Sequence, residues 1–139
     1  MILIVEDDLY MMDTLVDLFN SEGLGPVTSA PNPTRAWQAF SDNRPDAIFL
    51  DIALPPGDDN RYEEKDDPYW HETGLVLARR LVQEGRFDPT RIVVLTVQDD
   101  DVLHGRLRDL GIKRILVKPC ETKQIITQAR SALRVGEAL

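Results

Sequence analysis

Short apolar runs recur along the chain, and longer segments of mixed polarity separate them. The five runs are "ILIV" (2–5), "VTSA" (27–30), "AIFL" (47–50), "IVVL" (92–95) and "ILV" (115–117). Four of the five contain only apolar residues, which is typical of strands that other elements cover on both faces. The pattern therefore predicts five short strands, four of them buried on both sides.

The segments between these runs carry the spacing of amphipathic helices, with apolar residues three and four positions apart. The segment after the second run, "NPTRAWQAFSDN", predicts a short helix with Pro33 in its first turn. Four of the five predicted helices show an apolar stripe, and glycines after the first, third and fourth helices act as stop signals. The stripes are Met12, Leu15, Val16 and Phe19; Leu77, Ala78, Leu81 and Val82; Leu103, Leu107 and Leu110; and Ile125, Ile126, Ala129 and Leu133.

Strand and helix alternate along the whole chain, which predicts βαβ units. We therefore expect an α/β fold: one doubly wound parallel sheet of five strands with five helices on its two faces. The 139 residues are the usual size of one domain, and we expect a single domain over residues 1–139. In such sheets ligands bind at the carboxyl ends of the strands, where the strand order reverses.

Charged and hydroxyl side chains follow four of the five predicted strands, at the point where each strand ends. Asp8 and the residues before it also precede a helix, and we expect Asp8 to cap that helix. The residues at the strand ends are Glu6, Asp7 and Asp8 after the first, Asp51 after the third, Thr96 after the fourth, and Lys118 with Pro119 after the fifth. A parallel sheet would bring them to one edge.

Clustered carboxylates repel one another unless a cation lies between them. Mg²⁺ suits such a site because it binds carboxylates, water and phosphate oxygens. Lys118 would add a positive charge for a phosphate, and the hydroxyl of Thr96 a hydrogen bond. Phosphoryl transfer needs these parts, since its catalysis consists mostly of positioning and charge neutralisation. The sequence therefore predicts phosphorylation of Asp51 itself.

Four segments, "ILIVEDD", "FLDIALP", "VVLT" and "ILVKP", occur in this order over nearly the whole chain. Together they resemble the diagnostic segments of response-regulator receiver domains of two-component signalling, similar to chemotaxis regulators. The resemblance implies a flavodoxin-like sheet with the strand order 2-1-3-4-5. It also implies a cis peptide bond between Lys118 and Pro119, which X-Pro bonds tolerate.

The same resemblance assigns roles to individual residues. Asp51 is then the phosphoacceptor, Thr96 the switch hydroxyl and Lys118 the lysine that contacts the phosphate. Glu6 and Asp7 form the acidic pocket at the metal. The Mg²⁺ ligands are Asp7, Asp51 and the carbonyl of Ala53.

As a receiver, the chain would take a phosphoryl group from a histidine kinase or a histidine phosphotransfer protein and then change its binding to an output protein. We expect no enzymatic activity beyond Mg²⁺-dependent self-phosphorylation and self-dephosphorylation. Receivers often pair through the fourth helix, fifth strand and fifth helix, but no sequence feature decides whether this chain forms such a homodimer. The predicted fifth helix ends near residue 134, so we expect no DNA-binding output domain within these residues.

The composition restricts the classes of binding partner that we expect. The formal net charge of −8 disfavours direct binding to nucleic acid, whose phosphates it would repel. No apolar run reaches the roughly 18 residues of a membrane helix, and the start "MILIVEDD" lacks the basic leader of a signal peptide. The single cysteine fits a reducing compartment. We therefore expect a cytoplasmic protein that does not bind membranes.

The sequence departs from the receiver pattern in three places. Ile115 stands where the family usually has a tyrosine or phenylalanine, so we expect activation to be relayed by Thr96 and the loop after it. Ala53 and Gln98 occupy positions that tune dephosphorylation, and only Gln98 could position a water molecule. Residues 58–72, with seven acidic and two basic side chains, form an apparent insertion before the glycine at position 74.

We interpret residues 58–72 either as a solvated acidic loop or as a loop that Tyr69 and Trp70 anchor beside the pocket, where it would select partners. Two other functional classes share parts of the pattern. A haloacid-dehalogenase-like phosphatase needs a second aspartate two residues after its nucleophile, where this chain has Ala53. A flavin binder needs a first loop that cradles phosphate, whereas "EDDL" would repel it. The chain could also be a receiver module of a larger regulator.

Overall fold

The computed structural model describes residues 1–54, 73–97 and 99–135. Strands and helices alternate as the sequence predicts, with one 3₁₀ turn, Pro89–Arg91, before the fourth strand. The strands are β1 (Ile2–Val5), β2 (Val27–Ala30), β3 (Ala47–Asp51), β4 (Ile92–Thr96) and β5 (Arg114–Val117). The helices are α1 (Leu9–Ser21), α2 (Pro33–Asp42), α3 (Thr73–Gln83), α4 (Asp101–Asp109) and α5 (Thr122–Leu133).

The described strands form one parallel sheet in the order β2-β1-β3-β4-β5, which confirms the predicted fold class and strand order. The chain moves outward from β1 to β2 and then crosses to the other side of β1 to form β3. The strand order therefore reverses between β1 and β3, and Val5 lies beside Leu50 in their register. The residues that follow these two strands consequently emerge side by side.

Alternate side chains of the central strands enter two separate apolar layers. Leu3, Ile48 and Val94 belong to the layer that helices α2, α3 and α4 cover. Ile4, Phe49 and Val93 point to the other face, where Phe49 lies 4.9 Å from Phe19 of α1, measured between ring centroids. All six strand residues are at most 1% exposed. This burial on both faces explains why β1, β3 and β4 read as unbroken apolar runs.

Local signals in the sequence set the helix ends. The carboxylate of Asp8 accepts hydrogen bonds from the backbone N–H groups of Tyr10 and Met11, so the predicted cap at the start of α1 is confirmed. Gly23 after α1 and Gly111 after α4 have φ angles of 71° and 88°, a region that glycine enters without strain. Two of the three predicted glycine stop signals therefore have a backbone cause, whereas after α3 the residue with a positive φ, 51°, is Arg86 and not Gly85.

Two predictions fall outside the described residues: the insertion at 58–72 and the water-positioning role of Gln98. Among the described helices, none combines the length and the apolar character needed to cross a bilayer.

Candidate functional site

The ends of β1, β3 and β5 bring the predicted site residues together. Glu6 directly follows β1, Asp51 is the last residue of β3, and Lys118 directly follows β5. The ammonium of Lys118 lies 3.5 Å from Oε1 of Glu6 and 3.5 Å from Oδ2 of Asp51. Residues far apart in the sequence therefore converge where the strand order reverses, as the sequence analysis predicted.

Three carboxylates form a compact cluster at this edge. One oxygen each of Glu6, Asp7 and Asp51 lies within 4.8 Å of the others. Glu6 is 4% exposed and Asp51 is 9% exposed, whereas Asp7 is open to solvent. The backbone N–H of Ala53 donates to Oδ1 of Asp51 at 3.1 Å, which fixes the orientation of that carboxylate. The ammonium of Lys118 thus lies beside two of the three acidic groups, Glu6 and Asp51.

The environment of Glu6 opposes its ionisation. Burial, a hydrogen bond to Asp51 and the charges of Asp51 and Asp7 raise its pKa to about 8, although the ammonium of Lys118 acts in the opposite direction. Apolar side chains line the depression beneath the carboxylates and account for the lost hydration. These side chains are Ile4, Val5, Leu15, Phe49, Leu50 and Leu95.

The donor set of this cluster suits a hard divalent cation. All its side-chain ligand atoms are carboxylate oxygens, the ligands that Mg²⁺ prefers in proteins. A bound cation would also offset the repulsion that keeps Glu6 hard to ionise. Because Asp7 is exposed, a cation here would keep part of its water shell, as Mg²⁺ usually does. The residues present therefore fit the predicted metal.

Thr96 is the last residue of β4 and is fully buried. Its carbonyl accepts the backbone N–H of Lys118 at 2.7 Å, so Thr96 helps to fix the point where Lys118 leaves β5. The peptide bond between Lys118 and Pro119 is cis, as the resemblance implied. The role of Thr96 as a switch hydroxyl stays a prediction, and so does the role of the Ala53 carbonyl as a metal ligand.

Ile115, at the expected aromatic position, is half-buried in β5 and packs against the layer beneath α2, α3 and α4.

Two features of the edge that carries Asp51 were not predicted from the sequence. Several large apolar side chains are exposed, and Gly74 touches the backbone after Asp51. The exposed side chains are Leu9, Tyr10, Val97 and Val102, at 71%, 82%, 67% and 45%. Helical periodicity could have flagged Tyr10, which lies off the apolar stripe of α1.

The chain is similar to response regulators and their receiver domains. The family model for the response regulator receiver domain matches residues 2–61. The oxygen regulatory protein NreC of Staphylococcus carnosus is 25% identical over 134 residues, which cover 96% of this chain and 48% of NreC. NreC of Staphylococcus epidermidis strain ATCC 12228 is 26% identical over 110 residues, 79% of this chain and 43% of NreC. The chain therefore spans about half the length of these curated relatives.

Solved structures match nearly the whole chain. The receiver domain of NtrX from Brucella abortus superposes with a TM-score of 0.76 at 22% identity, covering 98% of this chain and 100% of that domain. The BeF3-activated N-terminal receiver domain of RstA from Klebsiella pneumoniae has a TM-score of 0.75 at 26% identity, covering 96% and 97%. The similarity thus extends beyond α3, past the residues that the family model matches.

Proposed function

We propose that this chain is a response regulator receiver domain, a signalling switch in which Asp51 accepts a phosphoryl group from a phosphohistidine donor. The observation that carries this proposal is the position of Lys118, whose ammonium lies 3.5 Å from a carboxylate oxygen of Asp51. A phosphoryl group on Asp51 would bring added negative charge to this ammonium. The donor is a histidine kinase or a histidine phosphotransfer protein.

The transfer needs an oriented carboxylate. In the step, a carboxylate oxygen of Asp51 forms a bond to phosphorus while the P–N bond of the phosphohistidine breaks. The electron pair of the broken bond stays on the imidazole nitrogen, and the imidazole, protonated on its other nitrogen, leaves neutral. The N–H of Ala53 holds Asp51 in one orientation before the donor arrives, which favours a productive approach.

Mg²⁺, when bound, would neutralise charge on the phosphoryl oxygens. Asp7, Asp51 and the Ala53 carbonyl would hold it, and Glu6 would supply further negative charge at the metal. Lys118 would neutralise charge on the transferred group from the other side. Thr96 would donate its hydroxyl to the phosphoryl group and pass the change to the loop that follows β4.

Hydrolysis of the acyl phosphate by water would return the switch to its resting state, with inorganic phosphate as the product. The domain would therefore act on its own aspartate rather than on a separate substrate. The output would be a change in binding to a partner protein or to a further domain, at the edge of the sheet that surrounds Asp51. We place this switch in the cytoplasm, where phosphohistidine donors of this kind act.

Acetyl phosphate, a small phosphoryl donor, tests the proposal without a known kinase. We expect the protein to gain one phosphoryl group by intact mass when Mg²⁺ is present and to gain none in EDTA. Asp51→Asn should gain none under either condition. Asp109→Asn, a matched change at an exposed site on α4, should behave like the parent. Equal phosphorylation of Asp51→Asn and the parent would rule out Asp51 as the acceptor.

A further inference from the structure

The backbone just after Asp51 is held by a contact that has no part in the phosphoryl transfer proposed above. The carbonyl oxygen of Ile52 accepts two hydrogen bonds, from the N–H of Leu54 at 3.1 Å and from the N–H of Gly74 at 2.9 Å. Leu54 lies before the insertion in the sequence and Gly74 lies after it. The chain therefore leaves the site and returns to it at one carbonyl oxygen, next to Asp51.

Gly74 permits this contact because it has no side chain. A Cβ atom at this position would lie 2.4 Å from Cα of Ile52, 2.5 Å from the carbonyl oxygen of Asp51 and 2.6 Å from that of Ile52. All three atoms belong to the backbone, so no side chain could rotate away to make room. Ile52 is itself fully buried, which leaves the strand end little freedom to shift.

A displacement here would reach the reactive group directly. Ile52 joins Asp51 to Ala53, and the N–H of Ala53 orients the Asp51 carboxylate at 3.1 Å. Moving Ile52 would therefore change both the direction of that carboxylate and the position of the Ala53 carbonyl. The carboxylate belongs to both the proposed metal site and the proposed phosphoryl site, and the carbonyl belongs to the metal site.

We propose that Gly74 is a positioning residue for phosphorylation of Asp51, and that the inserted residues 58–72 are not required for that step. This inference rests on the proposed function of Asp51. The close contact between Gly74 and Ile52 fixes the strand end. The hydrogen bonds from Leu54 and Gly74 to the carbonyl of Ile52 hold the residues before and after the insertion next to each other. Gly74 then acts through the backbone of Ile52 and does not touch the phosphoryl group.

Gly74→Ala tests the first part of the proposal. Because an error of about 1 Å in positioning can cost about 100-fold in rate, we expect phosphorylation by acetyl phosphate to slow by about 10- to 100-fold. The Mg²⁺ concentration for half-maximal rate should also rise. Gly105→Ala is the matched control, since a Cβ at Gly105 of α4 meets no atom within 4 Å, and its rate should equal that of the parent.

Both rates are measured below the thermal unfolding transition of each variant, so that a loss of stability alone does not change them. A folded Gly74→Ala variant that phosphorylates at the parent rate with unchanged Mg²⁺ dependence would overturn the proposal. If Gly74→Ala does not fold, hydrogen exchange in the parent decides. Mg²⁺ with beryllofluoride should slow exchange of the Gly74 amide but leave the Gly105 amide unchanged, and equal behaviour of the two would also overturn it.

Deleting residues 58–72, which joins Gly57 to Thr73, tests the second part. We expect its phosphorylation rate with acetyl phosphate to stay within about twofold of the parent, because the contact at Ile52 remains. A loss of tenfold or more in the folded deletion variant would show that the insertion contributes. If the parent itself gains no phosphoryl group, the proposed function fails; if only the Gly74→Ala result contradicts expectation, the positioning role alone fails.

Discussion

Charged side chains are arranged in opposite ways at the two ends of the sheet. At the amino ends of the strands, the α-ammonium of Met1 pairs with Asp46, and a hydrogen bond from Thr90 lowers the pKa of Asp88. At the carboxyl ends, three carboxylates crowd together and the pKa of Glu6 rises to about 8. One end places its charges where partners stabilise them. The other keeps like charges close, which is characteristic of binding and catalytic sites.

The amino end also shows how the chain secures its strand starts. Asp88 accepts hydrogen bonds from the N–H and the hydroxyl of Thr90, and Arg91 donates to the carbonyl of Asp46. These contacts hold the segments that precede β3 and β4. The charged residues before the strands therefore stabilise the fold, whereas the crowded carboxylates after the strands reduce its stability until a cation binds them.

Glu6→Gln should give the largest change in stability, and the change should depend on pH. Because the folded protein raises the pKa of Glu6 from 4.5 to about 8, it holds a proton in this range that the unfolded chain has lost. Stability of the metal-free protein therefore falls as pH rises from 4.5 towards 8. Glutamine removes this loss, so we expect it to stabilise the protein at pH 8 relative to pH 5 by about 3 kcal/mol.

Urea unfolding in EDTA at pH 5 and pH 8 measures this difference. Asp13→Asn, at an exposed position on α1, serves as the control and should show no such gain with pH. If the stability of Glu6→Gln relative to the parent is the same at both pH values, the folded protein does not raise the pKa of Glu6. The contrast between the two ends of the sheet would then lose its basis.

Lys118→Met should slow phosphorylation of Asp51 by about 100-fold, since removal of one oriented donor commonly costs this much. The substitution keeps a long side chain but removes the charge that lies 3.5 Å from both Asp51 and Glu6. Lys123→Met, an exposed change on α5, should leave the rate unchanged. Equal rates for the two variants with acetyl phosphate would remove Lys118 from the proposed chemistry.

Asp88→Ala should have the smallest effect, and at the opposite end of the sheet. It removes the cap of the turn before β4, which should lower stability by about 1 kcal/mol at pH 7. Because the folded protein lowers the pKa of Asp88, the contribution is present above pH 3.8 and is lost as pH falls further. Phosphorylation should proceed at the parent rate, and a slower rate would contradict the separation of the two ends.

The sequence predicted the sheet well because its signals are local. Consecutive residues such as Ile48 and Phe49 are buried on opposite faces of the sheet, so unbroken apolar runs marked β1 and β3. The run of β2, "VTSA", contains two hydroxyl side chains, and within this strand only Ala30 is fully buried. The caps and glycine stops also depend on neighbouring residues, as at Asp8 and Gly23.

The residues of the site could be predicted from the sequence, but the strength of the interactions among them could not. Parallel strands bring their carboxyl ends to one edge, which was enough to place Glu6, Asp51 and Lys118 together. The raised pKa of Glu6 depends on burial and on distances of a few ångströms, which residue order does not contain. The contact of Gly74 with Ile52 was likewise hidden, because the sequence marks the glycine but not the backbone that fills its space.

The central claim is that a phosphoryl group on Asp51 faces Lys118. A crystal structure of the protein with Mg²⁺ and beryllofluoride, which imitates such a group, tests it most directly. We predict beryllium bonded to a carboxylate oxygen of Asp51, a fluoride in hydrogen-bond contact with Lys118, and Mg²⁺ bound by Asp7 and Asp51. Beryllofluoride on a different carboxylate, or Lys118 turned away from it, would contradict the account.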